Sequence, residues 1–364
     1  MGSEMCIRDR NKIKKLLGRN AEEIPLDRIV SFPIFGIAYA WRVARAATVS
    51  ERDTVFLKAG DTFGRKILRR GFGASDAIYG FNTASLRLFE RAREQSLITI
   101  LEQTICPRLV EEEIMSEERR RFPGWEANVD SKLVSRTGER EALEWELADL
   151  ILCPSEFVKD GVIRCGGSAN KCVVVPYGVE PSPNEFQPHP RLSGPLRVLT
   201  VGAIGLRKGL GDILHAARLL GSEAEFRLVG SHQVSGAVIS DFGDVATFID
   251  AVPRREIIEH YRWADVLLLP SLCEGSATVT YEAMAHGLPV VCTHNTGSVV
   301  RDGVEGFVIP IRSPNKIASK LRELIDSESL LLSMSACAYQ RSLSYTLDGY
   351  AIRLMNALRE CEVT

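Results

Sequence analysis

From Arg197 onward, short apolar runs alternate with longer stretches that are apolar at helical spacing. The runs 197–201, 226–229, 245–249, 265–269, 290–292 and 307–309 are predicted strands, and 210–220, 254–263, 277–286, 314–326 and 329–340 are predicted helices. A last helix is predicted at 348–360. The N-terminal half gives strands at 75–80, 97–102, 150–153 and 172–175, with helices at 84–95, 110–121, 140–148 and 156–164. Strands alternating with helices predict α/β architecture with parallel, doubly wound sheets. The first forty residues offer no strand followed by a glycine-rich turn. The run 29–41 is apolar but shorter than the roughly 18–20 residues of a membrane span. It reads as a buried helix or an interfacial segment.

A chain of 364 residues is long enough for two domains. The expected division is 11–189 for the N-terminal domain and 190–345 for the C-terminal domain, with a Pro/Asn-rich linker from Pro181 to Pro195. Residues 1–10 read unlike the rest, as a tag or mistranslated adaptor, and are set aside from fold reasoning. They also raise the expectation that the N-terminal domain is truncated by its first one or two βα units. Forty-five basic against forty-seven acidic side chains give a formal charge of −2, so no electrostatic case for nucleic acid follows. Nine scattered cysteines without a Cys-x-x-Cys pair suit reduced thiols in a cytoplasmic protein. Cys165 and Cys172 fit no zinc spacing, and no metal site is expected. The clusters Lys12, Lys14, Lys15 and Arg65, Lys66, Arg69, Arg70 read as solvated faces, or as a weak peripheral contact with an anionic membrane.

The densest chemistry lies between Pro270 and Pro289. An apolar strand runs into Glu274-Gly275-Ser276, and a helix follows, capped at Ser276 and stopped by Gly287. Glu282 lies about two turns inside it, roughly 9 Å along the axis at ~1.5 Å per residue. The free N–H groups of the helix start carry positive dipole character. Two carboxylates so spaced suit an elongated ligand of sugar, diphosphate and nucleoside. Upstream, the tight turn Gly202-Ala203-Ile204-Gly205 leads to Arg207 and Lys208 at the carboxyl end of a strand, where open α/β sheets bind ligands. Fixed cations there would stabilise a departing diphosphate.

These features together resemble the retaining glycosyltransferases of the GT-B fold, in the large family that includes sucrose synthase and bacterial mannosyltransferases. Two glutamates separated by seven residues are that family's signature, here Glu274 and Glu282. The surrounding words match too: Arg197-Val198-Leu199-Thr200-Val201-Gly202, Gly205-Leu206-Arg207-Lys208-Gly209, Trp263-Ala264-Asp265-Val266, Thr296-Gly297-Ser298 and Asp302-Gly303-Val304-Glu305-Gly306-Phe307. The likeness is strong over about 140–340 and weaker before.

What the resemblance implies is a fold of two Rossmann-like domains facing across a cleft, with 346–364 crossing back onto the first. It implies a nucleotide diphosphate sugar as donor, no further cofactor, and a glycan, lipid-linked or small-molecule acceptor. Glu274 would touch donor-sugar hydroxyls, and Glu282 the ribose hydroxyls. Gly275 and Ser276 would offer N–H groups to the donor, with Gly275 allowing close backbone approach. Asn295, after a strand end, could approach the sugar. His232 reads as a loop histidine without a role, with lining of the donor cleft as the alternative, and His286 as a charge matched to a helix C-terminus. No histidine precedes His189, which suits a retaining reaction without a protein imidazole base. The segments Tyr79-Gly80-Phe81-Asn82 and Glu102-Gln103-Thr104-Ile105-Cys106-Pro107 could face the acceptor. Two other readings stand beside this one: a GT-B epimerase, which the histidine-poor first half disfavours, and a fragment that binds nucleotide with little or no transfer.

Overall fold

The computed structural model describes residues 24–25, 28–46, 48–180 and 194–362. The readings placed on residues 1–10, on Lys12–Lys15 and on the linker stretch 181–193 lie outside them. The described chain forms two compact units, divided after Ala46. Among the described residues the first holds the helix Pro33–Arg45, opened by a proline whose missing N–H suits that position. Arg45 lies 3.8 Å over the ring of Trp41. No residue of this helix is buried, and Ile34, Ile37 and Trp41 are exposed, so the expected buried helix is not observed.

The second unit contains two parallel sheets. In the first, β1 (Ala77–Phe81), β2 (Ile98–Glu102), β3 (Leu150–Cys153) and β4 (Cys172–Val174) lie side by side in chain order. Leu101, Ile151 and Cys153 point to one face and bury against Phe89, Trp145 and Val158 of the intervening helices. Ile100, Leu150 and Leu152 point to the other, where Tyr350, Leu354 and Ala357 of the last helix, Leu347–Glu362, cover them. The chain thus returns from the second sheet to the first. Among the described residues β1 is an edge strand, and the stretch ahead of it forms a helix, Val49–Arg70, started by a Thr48/Glu51 capping box.

Helix Ser131–Leu147 starts nine residues earlier than its sequence pattern suggests. Asp130 accepts from Lys132 N at 2.9 Å and caps it. Gly138 breaks the apolar period, yet it is needed where Leu109 packs: a Cβ would lie 2.8 Å from the Leu109 Cγ. One turn from its end the same helix carries Glu144, fully buried. Its carboxylate accepts from the N–H groups of Thr83 (2.6 Å), Ser85 (2.9 Å) and Leu86 (2.9 Å). These are donors at the start of helix Leu86–Glu94, which has no side-chain cap of its own. Glu144 thus supplies from another helix the acceptor that this start requires.

The second sheet runs β10 (Gly306–Ile309), β9 (Val290–Thr293), β8 (Val266–Leu269), β5 (Leu196–Val201), β6 (Ala224–Val229), β7 (Thr247–Ile249), all parallel. Helices Leu210–Leu220 and Pro314–Asp326 cover one face and Arg254–Trp263 and Thr278–Ala285 the other. A short helix, Gly236–Asp241, was not legible in the sequence. The strand order reverses between β5 and β8. Connections leave these two strands toward opposite sides and open a crevice above their carboxyl ends, the place where such sheets bind ligands. The two parallel sheets with their helices make the GT-B architecture expected from the sequence, but only the second is doubly wound: the first keeps its strands in chain order, with its connecting helices on one face.

Replacing Glu144 by alanine leaves three amide donors without their acceptor. Urea unfolding should show a loss of about 2–4 kcal/mol, and about half as much for Glu144→Gln, which keeps one acceptor oxygen. A loss below about 1 kcal/mol for the alanine variant would mean that water replaces the carboxylate at little cost.

Candidate functional site

The turn after β5 is held from below by its neighbours. Ile204 N donates to Ser231 O at 2.8 Å, and Gln233 N returns a bond to Ile204 O at 2.8 Å. Gly202 stands at φ +136 against the Lys208 stem. Gly209 adopts φ +76, and a Cβ there would lie 2.3 Å from Pro270 O. Only glycine fits both demands at that point. The turn therefore sits directly beside the loop that follows β8, and Leu272 N donates to Arg207 O at 2.8 Å.

This closeness brings three sequence-predicted residues together. Arg207 Nη1 and Lys208 Nζ each lie 2.8 Å from Glu274 Oε1. Arg207 also donates to Cys273 O at 3.1 Å. Lys208 and Glu274 are buried. Burial lowers the Lys208 pKa, and Glu274 only partly offsets it. For Arg207 burial acts in the same direction, but Glu274 and its hydrogen bond reverse it and the net shift is upward. Two cations share one carboxylate, so the cluster carries surplus positive charge in a poorly solvated crevice. Such a site favours an anion that gains charge as a bond breaks.

The Glu274 loop is fixed through Asn295. Glu274 N donates to Asn295 O at 3.0 Å, and Asn295 Nδ2 donates to Leu272 O at 2.7 Å. Asn295 is thus a brace of the loop in this structure. Ser276 does not cap the helix, contrary to the sequence expectation. Its Oγ bonds Gly297 O (2.8 Å) and the Tyr281 hydroxyl (2.6 Å), and the helix starts at Thr278 with Ala277 at the cap. The hydroxyl is drawn off by a buried acceptor and a phenol. Gly275 lies against the first sheet's loop: a Cβ there would meet Thr104 O at 1.9 Å, and Ser155 Oγ donates to Gly275 O at 2.5 Å. Its close backbone approach is to Thr104.

Glu282 lies one turn inside the helix, four residues after its start, or about 6 Å along the axis at ~1.5 Å per residue. Tyr261 donates to Glu282 Oε2 at 2.8 Å, and Arg254 Nη2 stands 3.6 Å from Oε1. Burial and the Glu282 charge push the Tyr261 hydroxyl pKa up. His286 stacks on Tyr261 with centroids 5.2 Å apart. Burial and Arg262 lower its pKa, so it is a neutral stacking partner and not the helix-end charge expected.

Sequence reasoning missed Glu126, which sits in the loop between two helices of the first domain. It accepts from Leu206 N at 2.6 Å, and a Cβ on Gly205 would stand 2.4 Å from the same oxygen. Burial pushes its pKa up, against the Leu206 hydrogen bond. An isolated loop acid carries no sequence signal for that contact. His232 lines a cavity of about 410 Å³ together with Ala203, Gly205, Arg207 and Glu126. Its Nδ1 faces Asp250 at 3.6 Å, and its Nε2 is buried without a partner. A second cavity, of about 630 Å³, is lined by Asn82, Thr104, Arg108, Glu111, Glu141 and Arg207 among others. Both segments singled out in the sequence reach it, through Phe81 and Asn82 and through Thr104–Cys106. Glu102 does not; it accepts from the hydroxyls of Tyr79 (2.5 Å) and Tyr177 (3.0 Å). Among the described residues no three His, Cys, Asp or Glu side chains are grouped to hold a metal ion.

A family model described as "Glycosyl transferases group 1" matches residues 195–327. Amylovoran biosynthesis glycosyltransferase AmsK of Erwinia amylovora is 30% identical over 197 residues, covering 50% of this chain and 48% of that protein. D-inositol 3-phosphate glycosyltransferase of Thermobifida fusca (strain YX) is 31% identical over 190 residues, 46% of this chain and 44% of that protein. The chain spans about half the length of these curated relatives. Sucrose-phosphate synthase from Thermosynechococcus elongatus superposes with a TM-score of 0.66 at 18% identity, over 86% of this chain and 79% of that one. Anabaena Alr3699/HepE in complex with UDP gives 0.61 at 16% identity, over 83% and 82%. Both show a shared fold.

Glu141 yields a pH prediction. Its carboxylate accepts from Arg108 N (2.8 Å) and Gln103 Nε2 (3.1 Å), but burial raises its pKa from 4.5 to about 7. With the folded pKa above the unfolded one, its contribution to stability is fully present below about 4.5 and is lost as pH rises through about 7. Between pH 5 and pH 8 the unfolding free energy should fall by about 2–3 kcal/mol more in the wild type than in Glu141→Gln. Equal pH slopes in the two proteins would refute this assignment.

Proposed function

We propose that this protein, whose residues 195–327 match the glycosyl transferases group 1 model, is a retaining glycosyltransferase using a nucleotide diphosphate sugar. The observation that carries the reading is the buried Arg207–Lys208–Glu274 cluster at the crevice where the second sheet reverses its strand order. The diphosphate of the donor is placed beside Arg207 and Lys208, which hold its growing negative charge as the glycosidic bond breaks. Glu274, between those cations, contacts hydroxyls of the donor sugar. Glu282 accepts from the ribose hydroxyls, held in place by Tyr261 and Arg254. Gly202, Gly205, Gly275 and Ser276 shape the backbone around the donor.

The departing phosphate takes the acceptor proton, so no imidazole base is needed. The acceptor is a glycan, a lipid-linked sugar or a small molecule. The protein works in the cytoplasm, with weak peripheral contact at the inner membrane face through the exposed basic residues Arg65, Arg69 and Arg70. No helix among the described residues is long and apolar enough to cross a membrane. A second reading, nucleotide binding with little transfer, draws on β1 being an edge strand among the described residues, with a helix ahead of it. Calorimetric titration with UDP-, GDP- and ADP-sugars, followed by turnover assays on an acceptor panel, separates the two. Binding without turnover on any acceptor supports the second, and no binding at all removes both.

The two glutamates should separate in kinetics. Glu282→Ala should weaken nucleotide diphosphate binding by about 1.5–3 kcal/mol, the range for hydrogen bonds to a charged group. Glu274→Ala should retain or gain nucleotide affinity, since it releases two cations, and lose turnover instead. Equal losses of affinity in both variants would contradict the division of roles.

Transfer should also need no divalent ion, because Arg207 and Lys208 stand where a metal would otherwise neutralise the diphosphate. Turnover in EDTA should match turnover in Mg²⁺ or Mn²⁺. Activity abolished by EDTA and restored by Mn²⁺ would overturn this.

A further inference from the structure

We infer that the helix Pro33–Arg45 is a docking element whose apolar face lies flat on the surface of an anionic phospholipid bilayer. It is a different element from the basic residues Arg65, Arg69 and Arg70, and the inference does not depend on the transferase reading.

The helix has two unlike faces. Phe35, Tyr39 and Val43, at i, i+4 and i+8, are half-buried. Ile34, Ile37 and Trp41, at i, i+3 and i+7, form an apolar stripe on the opposite side and are 84%, 65% and 56% exposed. A stripe at that spacing is what a helix ordinarily turns toward a core, and here it faces outward. Isolated helices below about 12–15 residues are marginal in water, so a 13-residue helix gains from an apolar surface to lie on.

Charge and length select the surface. From Arg28 to Ser50 the sequence carries no acid and three arginines, Arg28, Arg42 and Arg45. The Arg45 guanidinium lies 3.8 Å over the Trp41 ring, which puts a cation on the border of the stripe itself. An indole beside a guanidinium suits the boundary where lipid phosphates meet acyl chains: the ring settles at headgroup depth and the cation reaches a phosphate. The helix is about 20 Å long at ~1.5 Å per residue, short of the ~30 Å hydrocarbon core, so it lies on a bilayer and does not cross it. A second copy fits less well. One face of about 20 by 10 Å offers ~200 Å², against ~800 Å² per partner in a stable interface, and the same helix has no acid to meet Arg42 and Arg45.

Flotation of the full chain tests this, with vesicles of phosphatidylcholine alone and of phosphatidylcholine with about one-third phosphatidylglycerol. The expected result is at least tenfold tighter binding to the anionic vesicles. Brominated acyl chains should quench tryptophan fluorescence in the wild type and not in Trp41→Phe, because Trp145 is buried and Trp125 and Trp263 pack against the core of the second sheet. Ile34→Asn/Ile37→Asn should lower binding at least tenfold, and Arg42→Gln/Arg45→Gln should remove the preference for anionic vesicles. Arg65→Gln/Arg69→Gln/Arg70→Gln should keep both the preference and the quenching. No binding to anionic vesicles overturns the inference, and self-association that the asparagine pair abolishes would then assign the face to a second copy. Equal binding to both vesicles, undiminished binding by the folded asparagine variant, quenching that persists in Trp41→Phe, or loss of all binding in the Arg65/Arg69/Arg70 variant each overturns it too. If thermal melting shows the asparagine variant unfolded, the Trp41→Phe comparison decides in its place.

Discussion

A carboxylate removed from water at the end of a sheet needs cations or N–H donors at close range, and Glu274 finds two cations on one oxygen. That single requirement orders much of what surrounds it. Arg207 and Lys208 reach Glu274 only because the turn after β5 lies directly against the loop after β8, which depends on a left-handed glycine at Gly209 pressed on Pro270 O. The loop in turn keeps its shape through Asn295 and through the Ser276 hydroxyl, drawn to Gly297 O and Tyr281. A pair of neighbouring strands with diverging connections supplies the room. The surplus positive charge is what remains after Glu274 has been satisfied.

The same economy joins the two sheets. Buried acids meet more exposed arginines across the boundary: Arg121 contacts Glu118 on its own helix and Asp212 on the far side, and Arg312 returns to Glu118 at 3.0 Å. Near Glu274 the contact is backbone to backbone, with Gly275 against Thr104 and Ser155 donating to Gly275 O. Ion pairs on a buried acid are poor sources of net stability but penalise misplacement, because a displaced arginine leaves a buried carboxylate unpaired. They fix the relative placement of the groups that must meet a donor and an acceptor together.

The sheets were legible because their strands are short, apolar and regularly spaced. Helices 156–164, 210–220, 254–263 and 314–326 were read to the residue. Helix Ser131–Leu147 was read only in its second half, because Gly138 and polar first turns hide a packing reason that lies in Leu109. The meeting of Arg207, Lys208 and Glu274 was legible as a convergence of motifs, since strand ends gather on one edge of a parallel sheet. The bracing roles of Ser276 and Asn295 were not, because they depend on loops far apart in sequence. His232 was read mainly as a bystander, yet it lines a cavity beside Arg207. Glu144 and Glu126 gave no sign at all: a buried carboxylate that serves another segment's N–H groups looks, in sequence, like any helical or loop acid.

Glu126 gives the turn after β5 a resident guest. The Leu206 N–H group, the kind of donor that anions seek, already holds a carboxylate at 2.6 Å. Any anion that takes this N–H does so in competition with a side chain tethered at high effective concentration. Its apparent dissociation constant is the intrinsic one divided by the fraction of molecules in which Glu126 has let go. For any anion that uses this N–H, the loop between two helices of the first domain would set the working affinity without touching the bound molecule. Shortening or lengthening that loop is a means by which this fold can be tuned to dilute or abundant ligand while every contact to it stays the same.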